Sequence, residues 1–66
     1  MDVKVNGETL SVPKDSSLTQ LIELLSLGNN RIAVELNQEI VSRSEYDLLQ
    51  LREGDSLEIV QAIGGG

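Results

Sequence analysis

Apolar and polar residues alternate from the start of the chain, with Val3 and Val5 set between Asp2, Lys4 and Asn6. A period of two places both valines on one face of a strand and leaves the other face polar. Asn6-Gly7 follows, a pair favoured in two-residue type I′ hairpin turns because both turn positions need positive φ. Leu10 and Val12 then alternate with Thr9 and Ser11 on a return strand, which Pro13 ends by removing a backbone donor. This opening stretch predicts a β-hairpin.

The period changes at Ser17. Leu18, Leu21, Ile22 and Leu25 recur at helical spacing and form one apolar stripe. Ser17 with Gln20 fits a capping box, in which each side chain satisfies an orphan backbone N–H. Gly28 suits the left-handed position beyond a helix C-terminus, so the pattern predicts a helix over 18–27. Alternation returns in Ile32-Ala33-Val34-Glu35-Leu36, a third strand, and after an Asn37-Gln38 turn in Glu39-Ile40-Val41, a short fourth. Ser44-Glu45-Tyr46-Asp47 predicts a single helical turn. Leu48, Leu49 and Leu51 are expected to plug the open end of the core. Arg52-Glu53-Gly54-Asp55 reads as a turn with Gly54 at positive φ. In the last run, Ser56-Leu57-Glu58-Ile59-Val60-Gln61, Leu57 and Ile59 point inward while Glu58 and Val60 point outward.

The order of elements predicts an α+β fold of two layers, a mixed sheet of four or five strands packed on one helix. If the last strand lies beside the first, it runs parallel to it at the sheet centre. The expected core is Val3, Val5, Leu21, Ile22, Leu25, Val34, Leu57 and Ile59. At 66 residues there is room for one small domain, which buries about 60% of its unfolded surface and is marginally stable. Without Cys or His, disulfides and the usual zinc sites are excluded as staples. Tyr46 is the only aromatic residue, so the core is aliphatic.

Eleven acids against five bases give a net charge of −6. That excludes the positive stripe a nucleic-acid binder needs and fits steering toward basic protein partners. With neither a signal-peptide pattern nor an apolar run of membrane-spanning length, the expectation is a cytoplasmic protein with no membrane partner. Glu35/Glu39 and Glu45/Asp47 could be imagined as acid–base pairs, but catalytic carboxylates need a shielding cleft to move their pKa values. They read as solvated, and no catalytic residue, metal ligand or cofactor is expected.

The remaining chemistry lies at the C-terminus. Residues 1–63 are expected to form the domain and 64–66, Gly64-Gly65-Gly66, a flexible tail. The tail ends in an α-carboxylate, ionised at neutral pH with an ordinary pKa of roughly 3.3–3.7. A segment without side chains can thread a narrow channel and bring its last carbon to another protein's active site. A frayed terminus or linker is the alternative reading of such a segment. Val60, Ala62 and Ile63 beside it could form a small apolar docking patch.

The chain resembles the ubiquitin-like β-grasp fold and, more narrowly, the ThiS family of sulfur carriers in bacterial thiamin biosynthesis. The matching residues are Val5-Asn6-Gly7-Glu8, Ala33-Val34-Glu35-Leu36-Asn37 with Glu39-Ile40-Val41, Glu53-Gly54-Asp55, and the block from Val60 through Gly64-Gly65-Gly66. The resemblance implies that the Gly66 carboxylate is adenylated by a ubiquitin-activating-like adenylyltransferase of ThiF type. A cysteine desulfurase pathway would then supply sulfur, giving a thiocarboxylate that a thiazole synthase of ThiG type consumes. Gly64, Gly65 and Gly66 would thread the partner's channel, and the protein would be a co-substrate, not an enzyme. The small subunit of molybdopterin synthase shares the same tail and fold, and a β-grasp module that binds non-covalently is a further alternative. Conjugation to lysines as a protein modifier also shares the tail.

Overall fold

Each alternating run becomes a strand in the computed structural model, which describes residues 1–27 and 31–61. Strand β1 (Asp2–Val5) pairs antiparallel with β2 (Glu8–Ser11), Val3 lying opposite Leu10. Asn6 and Gly7 between them take φ of 52° and 86°, the two positive values of a type I′ turn. Helix α1 (Leu18–Leu24) follows, then β3 (Ile32–Leu36) and β4 (Glu39–Val41), which form a second antiparallel hairpin. Its turn residues Asn37 and Gln38 also have positive φ, 50° and 72°. A 3₁₀ turn (Arg43–Glu45) leads to β5 (Ser56–Gln61), through a bend where Gly54 takes φ of 85°.

The five strands lie in the order β2-β1-β5-β3-β4. The last strand is thus the central one, parallel to β1 (Lys4 beside Ser56, Val5 beside Leu57) and antiparallel to β3 over five residue pairs from Ile32–Gln61 to Leu36–Leu57. This is the β-grasp arrangement, with the sheet at the upper of the two expected strand counts.

Helix α1 starts as its cap predicts. The Gln20 backbone N–H donates to Ser17 Oγ at 3.1 Å, and the Ser17 N–H donates to Gln20 Oε1 at 2.8 Å. Its end differs from the expected 18–27. The chain leaves the helix after Leu24, and the left-handed residue is Ser26, with φ of 61°. The Leu27 N–H donates to the Ile22 carbonyl at 3.1 Å and the Ser26 N–H to the Glu23 carbonyl at 3.0 Å. These two bonds form a Schellman motif, which satisfies the last carbonyls without a glycine. Gly28, expected in that position, lies outside the described residues.

Val3, Val12, Leu18, Leu21, Ile22, Val34, Val41, Leu51, Leu57 and Ile59 make up the buried core. Of the expected core, Val5 and Leu25 are only half-buried and pack on its rim. Val12, Leu18, Val41 and Leu51 join it from the ends of neighbouring elements. The leucines expected to plug the open end divide. Leu51 is buried, its N–H donating to the Ser16 carbonyl at 2.9 Å, and Leu49 is half-buried. Leu48 is 83% exposed. The Leu48 N–H bonds the Glu45 carbonyl at 3.0 Å, so this turn winds helically and carries Leu48 to its outer side.

Ile59→Ala removes a buried side chain from the central strand. It is expected to lower the unfolding free energy by about 2–5 kcal/mol, seen as a collapse of the thermal midpoint. Leu48→Ala at the exposed position should stay within about 0.5 kcal/mol of the parent.

Candidate functional site

The candidate site is the end of β5 from which the C-terminal residues depart. Of the residues singled out from the sequence, the structure describes Val60; Ala62, Ile63, Gly64, Gly65 and Gly66 lie outside the described residues. Val60 points outward and is 61% exposed, as its alternation with Leu57 and Ile59 predicts.

Cross-strand register shows what surrounds it. Val60 stands opposite Ala33, which is exposed too, while Glu58 stands opposite Glu35 and Glu35 in turn opposite Ile40. Ile40 is 82% exposed. The solvent face of β4-β3-β5 is therefore a mixed surface, with Ile40, Ala33 and Val60 around two facing carboxylates. Like charges directly opposite each other on a sheet are destabilising. Ala33, Ile40, Glu35 and Glu58 were not picked out as site residues from the sequence. The signal was the strand register, which places residues far apart in the chain side by side.

The flanks of β5 are held by the two hairpin turns. At its start, the Ser56 N–H donates to Asn37 Oδ1 at 3.0 Å, and the Asn37 N–H donates to the Ser56 carbonyl at 2.7 Å. On the other flank, the Asn6 N–H donates to the Leu57 carbonyl at 2.9 Å. The Asn6 side chain then meets Ile59 twice: Nδ2 donates to the Ile59 carbonyl at 3.0 Å, and Oδ1 accepts from the Ile59 N–H at 2.8 Å. The two asparagines whose backbone makes the turns thus use their side chains to extend the pairing of the central strand.

Among the described residues, the hollows in the surface lie away from this end of β5 or open on the carboxylate face. One hollow, of about 480 Å³, is lined by Met1, Lys14, Asp15, Leu51, Arg52 and Glu53. It lies beside the start of β1, which runs parallel to β5, and hence at the opposite end of the sheet from Gln61. Glu39, Glu45 and Asp47 are exposed and Glu35 is half-buried on the open face. Among the described residues no group of three or more His, Cys, Asp or Glu side chains is placed to hold a metal ion. No helix among them is long and apolar enough to cross a membrane.

Comparison with known proteins is consistent across sequence and fold. Residues 3–66 match the ThiS family. The sulfur carrier protein ThiS of Bacillus subtilis is 34% identical over 65 residues, covering 97% of this chain and 98% of its own length. The thiazole synthase of Paramagnetospirillum magneticum is 38% identical over 66 residues, all of this chain but 20% of that protein. The chain thus spans about a fifth of the length of such thiazole synthases. The crystal structure of the thiamine biosynthesis protein ThiS from Geobacter metallireducens superposes with a TM-score of 0.84 at 30% identity, with full coverage of both chains.

The facing carboxylates generate a stability prediction. Glu58→Lys replaces a like-charge pair with an opposite-charge one across β3 and β5. It is expected to stabilise the fold by about 0.2–1 kcal/mol in urea titrations. The gain should shrink as salt is raised, since the pair faces solvent.

Proposed function

Since the chain belongs to the ThiS family, we propose that it carries sulfur on its C-terminal carboxylate for assembly of the thiazole of thiamin. The observation that supports this most directly is the extent of the family match, which runs to Gly66 and so includes the segment that would react. The protein is a co-substrate in this reading. Its folded part is a handle, and the active sites belong to its partners in the cytoplasm.

The chemistry follows from the poor electrophilicity of a carboxylate. A terminal oxygen of Gly66 attacks the α-phosphorus of ATP and pyrophosphate leaves, giving an acyl adenylate. The terminal sulfur of a persulfide, generated by a cysteine desulfurase, attacks the acyl carbon and AMP leaves. A second thiol reduces the resulting acyl disulfide, forming a disulfide with the donor and releasing the thiocarboxylate. Its soft sulfur is the nucleophile for the thiazole-forming enzyme. The sequence itself has no Cys, so it offers no thiol on which sulfur could ride as a persulfide.

Two partners are implied. An adenylating enzyme of ThiF type activates the carboxylate, and a thiazole synthase consumes the thiocarboxylate. Support for the second comes from the thiazole synthases of which this chain matches one-fifth, because a like segment is there joined to the rest of a thiazole synthase. Gly64, Gly65 and Gly66 thread the partner's channel, where a Cβ would obstruct close approach to the acyl carbon. Val60, with Ala62 and Ile63, docks beside them. In this reading residues 1–63 are the domain and 64–66 the threading tail.

Given ATP, Mg²⁺, the adenylating enzyme and a persulfide source, one terminal oxygen should be exchanged for sulfur, and intact mass with peptide mapping should locate it at Gly66. An Ala added after Gly66 should abolish the change. Gly65→Val should strongly reduce ATP–pyrophosphate exchange, while the thermal midpoint stays at the parent value because the core side chains are unaltered. A mass gain that survives the added Ala, or none in a complete system with active partners, would eliminate this reading.

A further inference from the structure

The support for β5 is asymmetric along its length. Its Glu58 and Val60 lie in register with Glu35 and Ala33, and the ladder with β3 continues as far as Gln61 opposite Ile32. On the other flank the ladder with β1 covers only Ser56 and Leu57, because β1 ends at Val5 and the chain turns away. Backbone groups alternate in direction along a strand. Leu57 and Ile59 both present theirs to the β1 side, as their bonds to Asn6 show. The Asn6 carboxamide occupies the place where the next peptide of β1 would have been. Among the described residues, no hydrogen bond reaches β5 from that side beyond Ile59.

We infer that Asn6 is a positioning residue: its side-chain clamp on Ile59 sets the direction in which the chain leaves β5, and so aims the C-terminal segment into the adenylating enzyme. The inference rests on the sulfur-carrier reading. Asn6 touches neither ATP nor the reacting carbon; it acts through Ile59, two residues before the last described position of the strand. Its carboxamide is matched to the task because it donates and accepts at once, so both polar groups of Ile59 are met by one side chain. Its backbone fits as well, since asparagine tolerates the positive φ of a type I′ turn and the turn holds the side chain against β5. Without the clamp, the strand's last residues would be held on the β3 side alone. They would reach the same partner with a wider spread of exit directions, and delivery of a reacting group is sensitive to displacements of about 1 Å.

Asn37 supplies the control. It too is a turn residue at positive φ whose side chain bonds the backbone of β5, at Ser56, the first residue of the strand. Asn6→Gly and Asn37→Gly each remove a carboxamide without straining the turn, because glycine accepts positive φ. The two variants and the parent are compared at a temperature well below all three midpoints, in ATP–pyrophosphate exchange with the adenylating enzyme. Asn6→Gly is expected to lower kcat by about ten- to a hundredfold with KM within about twofold of the parent, since the docking face is untouched. Asn37→Gly should keep the parent's kcat despite a comparable loss of thermal stability. Amide exchange should speed up at Ile59 in the first variant and at Ser56 in the second. If Asn6→Gly does not fold, Asn6→Asp, which keeps the acceptor for the Ile59 N–H but loses the donor, is scored on the same criteria. Parent-like kcat in the Asn6 variant, or equal losses in both variants, would overturn the inference. A parent that supports no exchange would instead sink the sulfur-carrier reading, and the positioning role with it.

Discussion

Insertion of β5 between β1 and β3 is the constraint from which the rest of the structure follows. Without it the chain is two hairpins and a short amphipathic helix, none with enough apolar surface to stand alone. With it, Leu57 and Ile59 bring the two hairpins' inward faces into one sheet, and Leu18, Leu21 and Ile22 of the helix find a surface to cover. The pairings that do this join residues far apart in the chain, Val5 with Leu57 on one side and Val34 with Ile59 on the other. The entropy of closing such a loop must be recovered from burial of a few aliphatic side chains. In a domain with so little core, each further hydrogen bond to the backbone of the central strand counts. The two turn asparagines add such bonds by supplying side-chain amides where neighbouring strands run out.

This arrangement also fits a division of labour between the protein and its partners. The folded part presents a sheet face of Ile40, Ala33 and Val60 around Glu35 and Glu58. A carrier needs a surface that can be recognised and a terminus that can be reached. On the sulfur-carrier reading proposed above, a site that shifts pKa values or excludes water would belong to the partners. The acidic balance of the chain would speed encounter with basic partner surfaces and weaken with salt.

Much of the fold was legible in the sequence because its signals are local. Alternation fixed the inward and outward faces of all the long strands, Ser17 and Gln20 marked the helix start, and Asn6-Gly7 and Gly54 marked turns by their tolerance of positive φ. The departures are positions where local preference gave way to context. The helix ended at Leu24 instead of Leu27 because a Schellman pair of hydrogen bonds met the terminal carbonyls with Ser26 in the left-handed conformation. Leu48 was as apolar as Leu51, but a helical turn carried it outward while Leu51 was drawn in by its bond to Ser16. The candidate site was legible only in part. Val60 could be assigned to the outer face by alternation, but its neighbours Ala33, Glu35 and Ile40 come from other strands and are set by register. The side-chain role of Asn6 was hidden behind its role in the turn, which already accounts for an asparagine there.

The central position of β5 has a further consequence for synthesis. Chains emerge from the ribosome N-terminus first, so both hairpins and the helix are made before the strand that unites them. Until Ser56–Gln61 has been released, the facing edges of β1 and β3 have no partner and the core lacks Leu57 and Ile59. A chain cut short before this point would not assemble the sheet and would be exposed to proteases. Folding is therefore tied to completion of the central strand. A compact copy is one that has been translated through Gln61, the last residue of β5.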